Sequence, residues 1–88
     1  MQNQPDSHKE FTELTKPYLK SLKNTAFRLA KNEEESQDLL QEALYKAYRG
    51  FDSYTPNTNF RAWIFKILVN TYLTHYRKMV KQPQKVSY

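Results

Sequence analysis

The sequence predicts an all-α domain, and three observations carry that expectation. Apolar residues recur at three- and four-residue spacing, as in Leu19, Leu22, Ala26, Leu29 and Ala30, which is the period of a helix face. The chain has a single Gly, so the tight hairpin turns that build small sheets are nearly excluded. Helix punctuation falls between the periodic stretches, with Ser7, Asn32, Gly50 and Pro83 where starts and stops belong. Eighty-eight residues leave room for one core. The expected fold is a compact bundle of three main helices plus a short N-terminal helix.

The first five residues are polar and are expected to fray. Ser7-His8-Lys9-Glu10 has the form of a capping box ahead of Phe11 and Leu14, so a short first helix opens there. Pro17 either kinks it or begins the next helix at its first position. The second helix covers Tyr18 to Lys31. Asn32 caps the third, with Glu33, Glu34 and Glu35 in the first turn, where the helix dipole favours anions. Gly50 is placed to end it. Residues 52–59 read as a loop, rich in Asp, Ser, Thr, Asn and Pro. The fourth helix starts near Asn59, runs to Lys81 and is closed by Pro83. Leu22, Ala26, Leu40, Leu44, Ile64, Ile67 and Leu68 are the expected core.

Charge is unevenly distributed along this frame. Residues 1–32 hold six Lys/Arg and three acids, residues 33–59 two and six, and residues 60–88 six and none. A basic, aromatic-rich helix suits a polyanion, whereas an acidic helix suits a basic protein. Several other classes fall away. The absence of Cys removes disulfides, thiolate nucleophiles and Cys-based zinc sites. His8 and His75 are the only histidines, with no paired carboxylate motif or metal spacing between them. No catalytic, cofactor-binding or metal-binding residue is therefore expected. There is no signal peptide and no apolar run of membrane-spanning length, so the expectation is a soluble, cytoplasmic protein without a membrane partner.

Projected at 100° per residue, the third helix places Leu40, Ala43, Leu44 and Ala47 on one side, with Leu39 and Tyr48 at its edges. Asp38, Gln41, Glu42, Tyr45 and Arg49 share the other side. That polar stripe is either a solvated face or a docking surface, with carboxylates flanking an amide and an aromatic ring. The fourth helix has two apolar faces. Phe60, Trp63, Ile64, Ile67, Leu68 and Thr71 form one, and Phe65, Val69, Tyr72 and Tyr76 form a second about opposite. Lys66, Asn70 and Arg77 make a narrow polar strip between them. Either this helix is buried centrally, or its second face meets a ligand such as unpaired bases, which stack on aromatic rings.

Taken together, Asp38-Leu39-Leu40-Gln41-Glu42, Tyr48-Arg49, Phe51-Asp52, the run from Asn57-Thr58-Asn59-Phe60-Arg61-Ala62-Trp63 to Ile67, Asn70 and Arg77-Lys78 closely resemble region 2 of bacterial sigma factors of the extracytoplasmic-function group, in the sigma-70 family. The similarity covers roughly Phe11 to Lys81. It implies a transcription initiation factor, not an enzyme, that binds core RNA polymerase and recognises and helps melt the minus-ten element. Asp38, Gln41 and Glu42, with Tyr45 beside them, would dock the coiled coil on the polymerase's largest subunit. The loop from Asp52 to Asn59, with Tyr54, Thr58 and Asn59, would capture a flipped base of the non-template strand. Phe60, Arg61 and Trp63 would act in melting, Asn70 and Thr74 in reading, and Lys66, Arg77 and Lys78 on phosphates. Trp63 carries two readings, core anchor and wedge at the fork.

Asn57 stands where Gly is common in the family, and Thr74-His75 replaces a frequent Asp/Asn-Tyr pair. The resemblance further implies an anti-sigma factor as partner and a monomer in isolation. Residues 1–82 would be the region 2 domain and 83–88 the start of a linker towards a region 4 that lies outside this sequence. The competing reading is a freestanding basic helical nucleic-acid-binding domain with no polymerase partner; it leaves the Asp38, Gln41, Glu42 stripe without a role.

Overall fold

In the computed structural model, which describes the backbone of residues 3–86 and the side chains of residues 8–78, four helices follow the expected order. They are α1 (Asn3–Thr15), α2 (Leu19–Ala30), α3 (Glu33–Arg49) and α4 (Phe60–Val86), with 3-10 turns at Lys16–Tyr18 and Phe51–Ser53. No strand occurs among the described residues.

Helix ends follow local chemistry, in places differently from expectation. The cap at Asn32 forms as expected: its Oδ1 accepts the Glu35 backbone N–H at 2.8 Å, with the three Glu of the first turn beside it. Pro17 sits in the 3-10 turn between α1 and α2, where its missing N–H leaves no bond unmade. Ser7 starts nothing, because α1 already begins at Asn3. Pro5 then falls in the first turn, a position that tolerates proline. Nor does Pro83 close α4, which continues to Val86. Proline removes a single hydrogen bond from the ladder there, and the backbone carries on without it.

Among the described residues, Lys31 (φ 68°) and Asn57 (φ 67°) are left-handed. Gly50, placed to end α3, does so at φ −95° with its N–H on the Lys46 carbonyl. The one glycine is thus not used for its conformational freedom. Lys31 bears the left-handed cap of α2 instead and donates its N–H to the Phe27 carbonyl at 2.7 Å. The short link through Lys31 and Asn32 makes α2 and α3 antiparallel neighbours.

The core forms where α2, α3 and α4 meet, with Leu22, Ala26, Ile64 and Leu68 buried as expected. On α3 the buried line is Ser36, Leu39, Ala43 and Ala47, whereas Leu40, Leu44 and, on α4, Ile67 are half-buried at its margin. Leu39, Ala43 and Ala47 follow one another at four-residue spacing, and the two alanines let a neighbouring helix approach closely. Leu40 and Leu44 are left flanking that approach on the α2 side. Buried hydroxyls are satisfied within their own helices. Thr71 Oγ1 donates to the Ile67 carbonyl at 2.7 Å, and Thr15 Oγ1 to that of Phe11 at 2.7 Å.

A second part of the core is aromatic. Phe11 of α1 meets Tyr48, Phe51 and Phe60 edge-on, with centroids 5.6, 5.4 and 6.2 Å away. These contacts, worth about 0.5–1.5 kcal/mol per aromatic pair beyond area burial, pin α1 to the loop that precedes α4.

Candidate interaction surfaces

The outer face of α3 is free of structural duty over most of its length. Asp38 and Gln41 are exposed, and Tyr45 is 59% exposed. The ring of Tyr45 is held by Arg49 one turn on, whose Nη1 donates to the hydroxyl at 3.0 Å while its guanidinium stands 5.6 Å from the ring centroid.

Glu42 behaves differently. It is half-buried and turns towards α4, where its Oε1 lies 2.6 Å from His75 Nε2. Its Oε2 lies 3.4 Å from Lys46 Nζ. Partial burial pushes the Glu42 carboxyl up, but the hydrogen bond and charge of His75, then those of Lys46, outweigh it and hold the group below the usual glutamate value. Of the four expected docking residues, three face solvent and the fourth is engaged across the helix pair.

The loop before α4 is built from its own side chains. Tyr54 is buried at 8% exposure, stacked on Phe51 at 5.8 Å and edge-on to Phe60 at 5.3 Å. Its hydroxyl donates to the Thr58 carbonyl at 2.7 Å, and Thr58 Oγ1 donates to the Thr55 carbonyl at 2.6 Å. Asn57 takes the left-handed turn, as its short amide side chain permits. Asn59 caps α4, its Oδ1 accepting the Ala62 N–H at 3.0 Å.

Tyr54 and Phe60, expected to face DNA, therefore belong to the core. The signal for this lay in the sequence, since Phe51, Tyr54, Phe60 and Trp63 form a dense aromatic run around one turn. Beside the loop lies a cleft of about 350 Å³, bordered by Tyr18, Asn57, Thr58 and Asn59, with Glu10 on its rim. Trp63 is half-buried, packed 5.2 Å from Tyr54 with part of its ring in solvent. Its packing is that of a core anchor, and only the part in solvent is left for the wedge reading.

Along α4, Lys66, Asn70, Arg77 and Lys78 are exposed and Thr74 half-buried. Trp63, Lys66, Asn70, Thr74 and Arg77 follow one another at three- and four-residue spacing, which puts them on one side of the helix. Arg61 lies on the other side, its guanidinium 4.8 Å from the Phe65 ring centroid. Central burial of α4 is excluded by its second apolar face, where Val69 and Tyr76 are exposed while Phe65 and Tyr72 are half-buried. The Tyr72 and Tyr76 rings stack at 6.2 Å and border a cleft of about 500 Å³ shared with Leu29, Lys31, Asp38 and His75. Sequence reasoning also overlooked Phe27, which is 48% exposed on α2 beside a notch it shares with Leu40. Among the described residues no helix is long and apolar enough to cross a membrane.

Comparison with known proteins agrees with this anatomy. The family described as Sigma-70 region 2 matches residues 14–81, from the end of α1 through most of α4. The chain is 41% identical over 58 residues to the ECF RNA polymerase sigma factor EcfG of Rhodopseudomonas palustris, covering 66% of this chain and 32% of that protein. It is 29% identical over 68 residues to the ECF RNA polymerase sigma factor SigW of Bacillus subtilis, covering 77% and 36%. A shorter stretch of 34 residues is 47% identical to the ECF RNA polymerase sigma-E factor of Escherichia coli, covering 39% and 18%. The chain thus spans well under half the length of these relatives. With the match running through the acidic helix, the loop and the basic helix together, the chain belongs to the Sigma-70 region 2 family, in its extracytoplasmic-function branch.

Proposed function

We propose that this domain serves a cytoplasmic transcription initiation factor, docking core RNA polymerase through the outer stripe of α3 and engaging the promoter minus-ten element through the loop and α4. The observation that carries the reading is that two adjoining helices expose surfaces of opposite charge. Asp38, Gln41 and Tyr45 face outward on an acidic helix, where the only exposed cation of the stripe, Arg49, is tied to Tyr45. Lys66, Asn70, Thr74 and Arg77 follow one side of the acid-free helix α4, which adjoins α3 where Asn70 and Thr74 share a cleft with Lys46. The relatives are named RNA polymerase sigma factors, which supports the same assignment here.

Within this reading the polymerase's coiled coil meets Asp38, Gln41 and Tyr45, and Phe27 adds an apolar anchor on the adjoining side of α2. A flipped base of the non-template strand enters the cleft beside Asn57, Thr58 and Asn59. Trp63 bears on the fork with its exposed edge, and Arg61, Lys66, Arg77 and Lys78 hold phosphates. Unstacking one base costs a few kcal/mol and is recovered in the pocket, so no ATP is required. The binding domain extends through α4 past the expected boundary at residue 82, and an anti-sigma factor competes for the exposed faces. A freestanding nucleic-acid binder would leave the α3 stripe idle.

The test joins Asp38→Ala with Gln41→Ala. Neither side chain bonds to another among the described residues, so stability should stay within about 0.5 kcal/mol of the native chain. Affinity for core polymerase should fall by about 2–5 kcal/mol, and permanganate reactivity of a promoter, read with the assembled holoenzyme, should vanish with it. Native affinity in a folded double variant would leave α3 a solvated face and sink the proposal.

A further inference from the structure

Glu42 and His75 make the one side-chain hydrogen bond that joins two helices among the described residues. Every other side-chain bond there stays within four residues along the chain, as in the Arg49–Tyr45 and Tyr54–Thr58 pairs. Its position is informative. Glu42 follows Gln41 on α3, and His75 follows Thr74 on α4, so the bond fastens the turn proposed to meet polymerase to the turn proposed to read bases.

The buried part of the α3–α4 contact is mainly apolar, with Leu39, Ala43 and Ala47 packing with Ile64 and Leu68 in one core; Thr71 bonds within α4, and Lys46 borders a cleft with Asn70 and Thr74 without bonding to either. Apolar contact is non-directional; it sets how closely two helices approach but only loosely how each is rotated. A hydrogen bond weakens steeply with angle and so selects one rotation. Both Glu42 oxygens already face groups of this chain, His75 at 2.6 Å and Lys46 at 3.4 Å, whereas Asp38 and Gln41 face none among the described residues. The other ionisable groups beside His75 are Lys31, Glu35, Asp38, Tyr72 and Tyr76, which border the same cleft; none of them bonds to its ring.

We infer that Glu42 is a positioning residue, which through His75 sets the rotation of the Asn70–Thr74 turn of α4 against α3, rather than a direct polymerase contact. The inference rests on the function proposed above for the two helices. It assigns Glu42 and His75 to promoter selectivity, leaving Asp38, Gln41 and Tyr45 as the docking centre.

The test uses Glu42→Ala, His75→Ala and the exchange variant Glu42→His with His75→Glu, each assembled with core polymerase. Both single variants should bind core as the native chain does. Each should lose about two- to fivefold in selectivity at the upstream edge of the minus-ten element, the scale of a solvated ion pair. The exchange should restore selectivity, although it removes the carboxylate from position 42. Loss of core binding by Glu42→Ala and by the exchange, with His75→Ala binding normally, would make Glu42 a direct contact and overturn the inference. The rotation is read separately in the free chain. Amide resonances from Asn70 to Thr74 should shift alike in both single variants and return in the exchange; unmoved resonances overturn the inference whatever the polymerase does. Should the resonances behave as expected while the native chain fails to bind core, the functional proposal falls and the positioning role stands.

Discussion

The outer stripe of α3 and the loop before α4 are both assigned to partners, yet they are made in opposite ways. On α3 the backbone satisfies itself through the helix ladder, and Ser36, Leu39, Ala43 and Ala47 supply the packing from the other face. Asp38 and Gln41 are consequently spared. The loop has no ladder, and its carbonyls and N–H groups need partners. It obtains them from Tyr54, Thr58 and Asn59, the side chains a reading of motifs assigns to DNA. Function and stability are therefore separable on α3 and entangled in the loop. A loop variant that fails to open DNA has not by itself shown contact with DNA.

The largest expected effect breaks the comparison if it fails. Tyr54→Ala removes a buried ring that stacks on Phe51 and abuts Phe60 and Trp63, and should cost about 3–5 kcal/mol by the scale for large aromatics. Tyr54→Phe removes only the bond to the Thr58 carbonyl and should cost about 0.5–1.5 kcal/mol. Denaturant melts of both, set beside the Asp38→Ala, Gln41→Ala chain, measure the contrast directly. A Tyr54→Ala chain with a native midpoint would show that the loop is as unburdened as the helix face.

The sequence conveyed the helices well because their periodicity repeats over many residues, as in α2 and the first half of α4. It conveyed single-residue punctuation less well. Ser7 has the form of a cap, but nothing local forbids a helix from starting four residues earlier. Gly50 and Lys31 exchange the roles their types suggest, since the sharp link into Asn32 forces a left-handed residue wherever α2 happens to stop. The rotation of α3 differs from the expected one by a fraction of a turn: Leu40 and Leu44 stand at the margin, whereas Leu39, Ala43 and Ala47 at four-residue spacing form the buried line. Most instructive is Tyr54, whose loop position hid its burial. Only the rings around it, those of Phe51, Phe60 and Trp63, make a core there.

The next effect sharpens the contrast by comparing one chemistry in two settings. Asn32 and Asn59 cap α3 and α4 with the same Oδ1 bond, at 2.8 and 3.0 Å. Replacing either by Ala should cost about 1 kcal/mol, within a usual range of about 0.5–2. Only Asn59→Ala should also slow promoter opening, because it alone borders the cleft beside the loop. Asn59→Asp, which caps equally well, should recover the stability and expose whatever loss of opening remains as true contact. Equal opening defects in the Asn32 and Asn59 variants would mean that helix stability alone governs the reaction.

The smallest effect concerns Glu42, the one member of the acidic stripe that departs from its free neighbours. Its carboxyl is held below the usual value in the folded chain, partial burial being outweighed by His75 and Lys46. A depressed carboxyl contributes stability that is present above the unfolded-state value and is lost as the pH falls through the folded-state value. The window therefore lies on the acid side, in and just below the ordinary glutamate range. With 39% of the side chain exposed, solvent screening limits the contribution to about a few tenths of a kcal/mol. The stability difference between native and Glu42→Gln chains, followed by urea melts, should be present just above that window and shrink as the carboxyl protonates. A difference that persists unchanged into strong acid would show that Glu42 holds α4 by packing alone, and the boundary between its inward role and the free stripe at Asp38 and Gln41 would have to be redrawn.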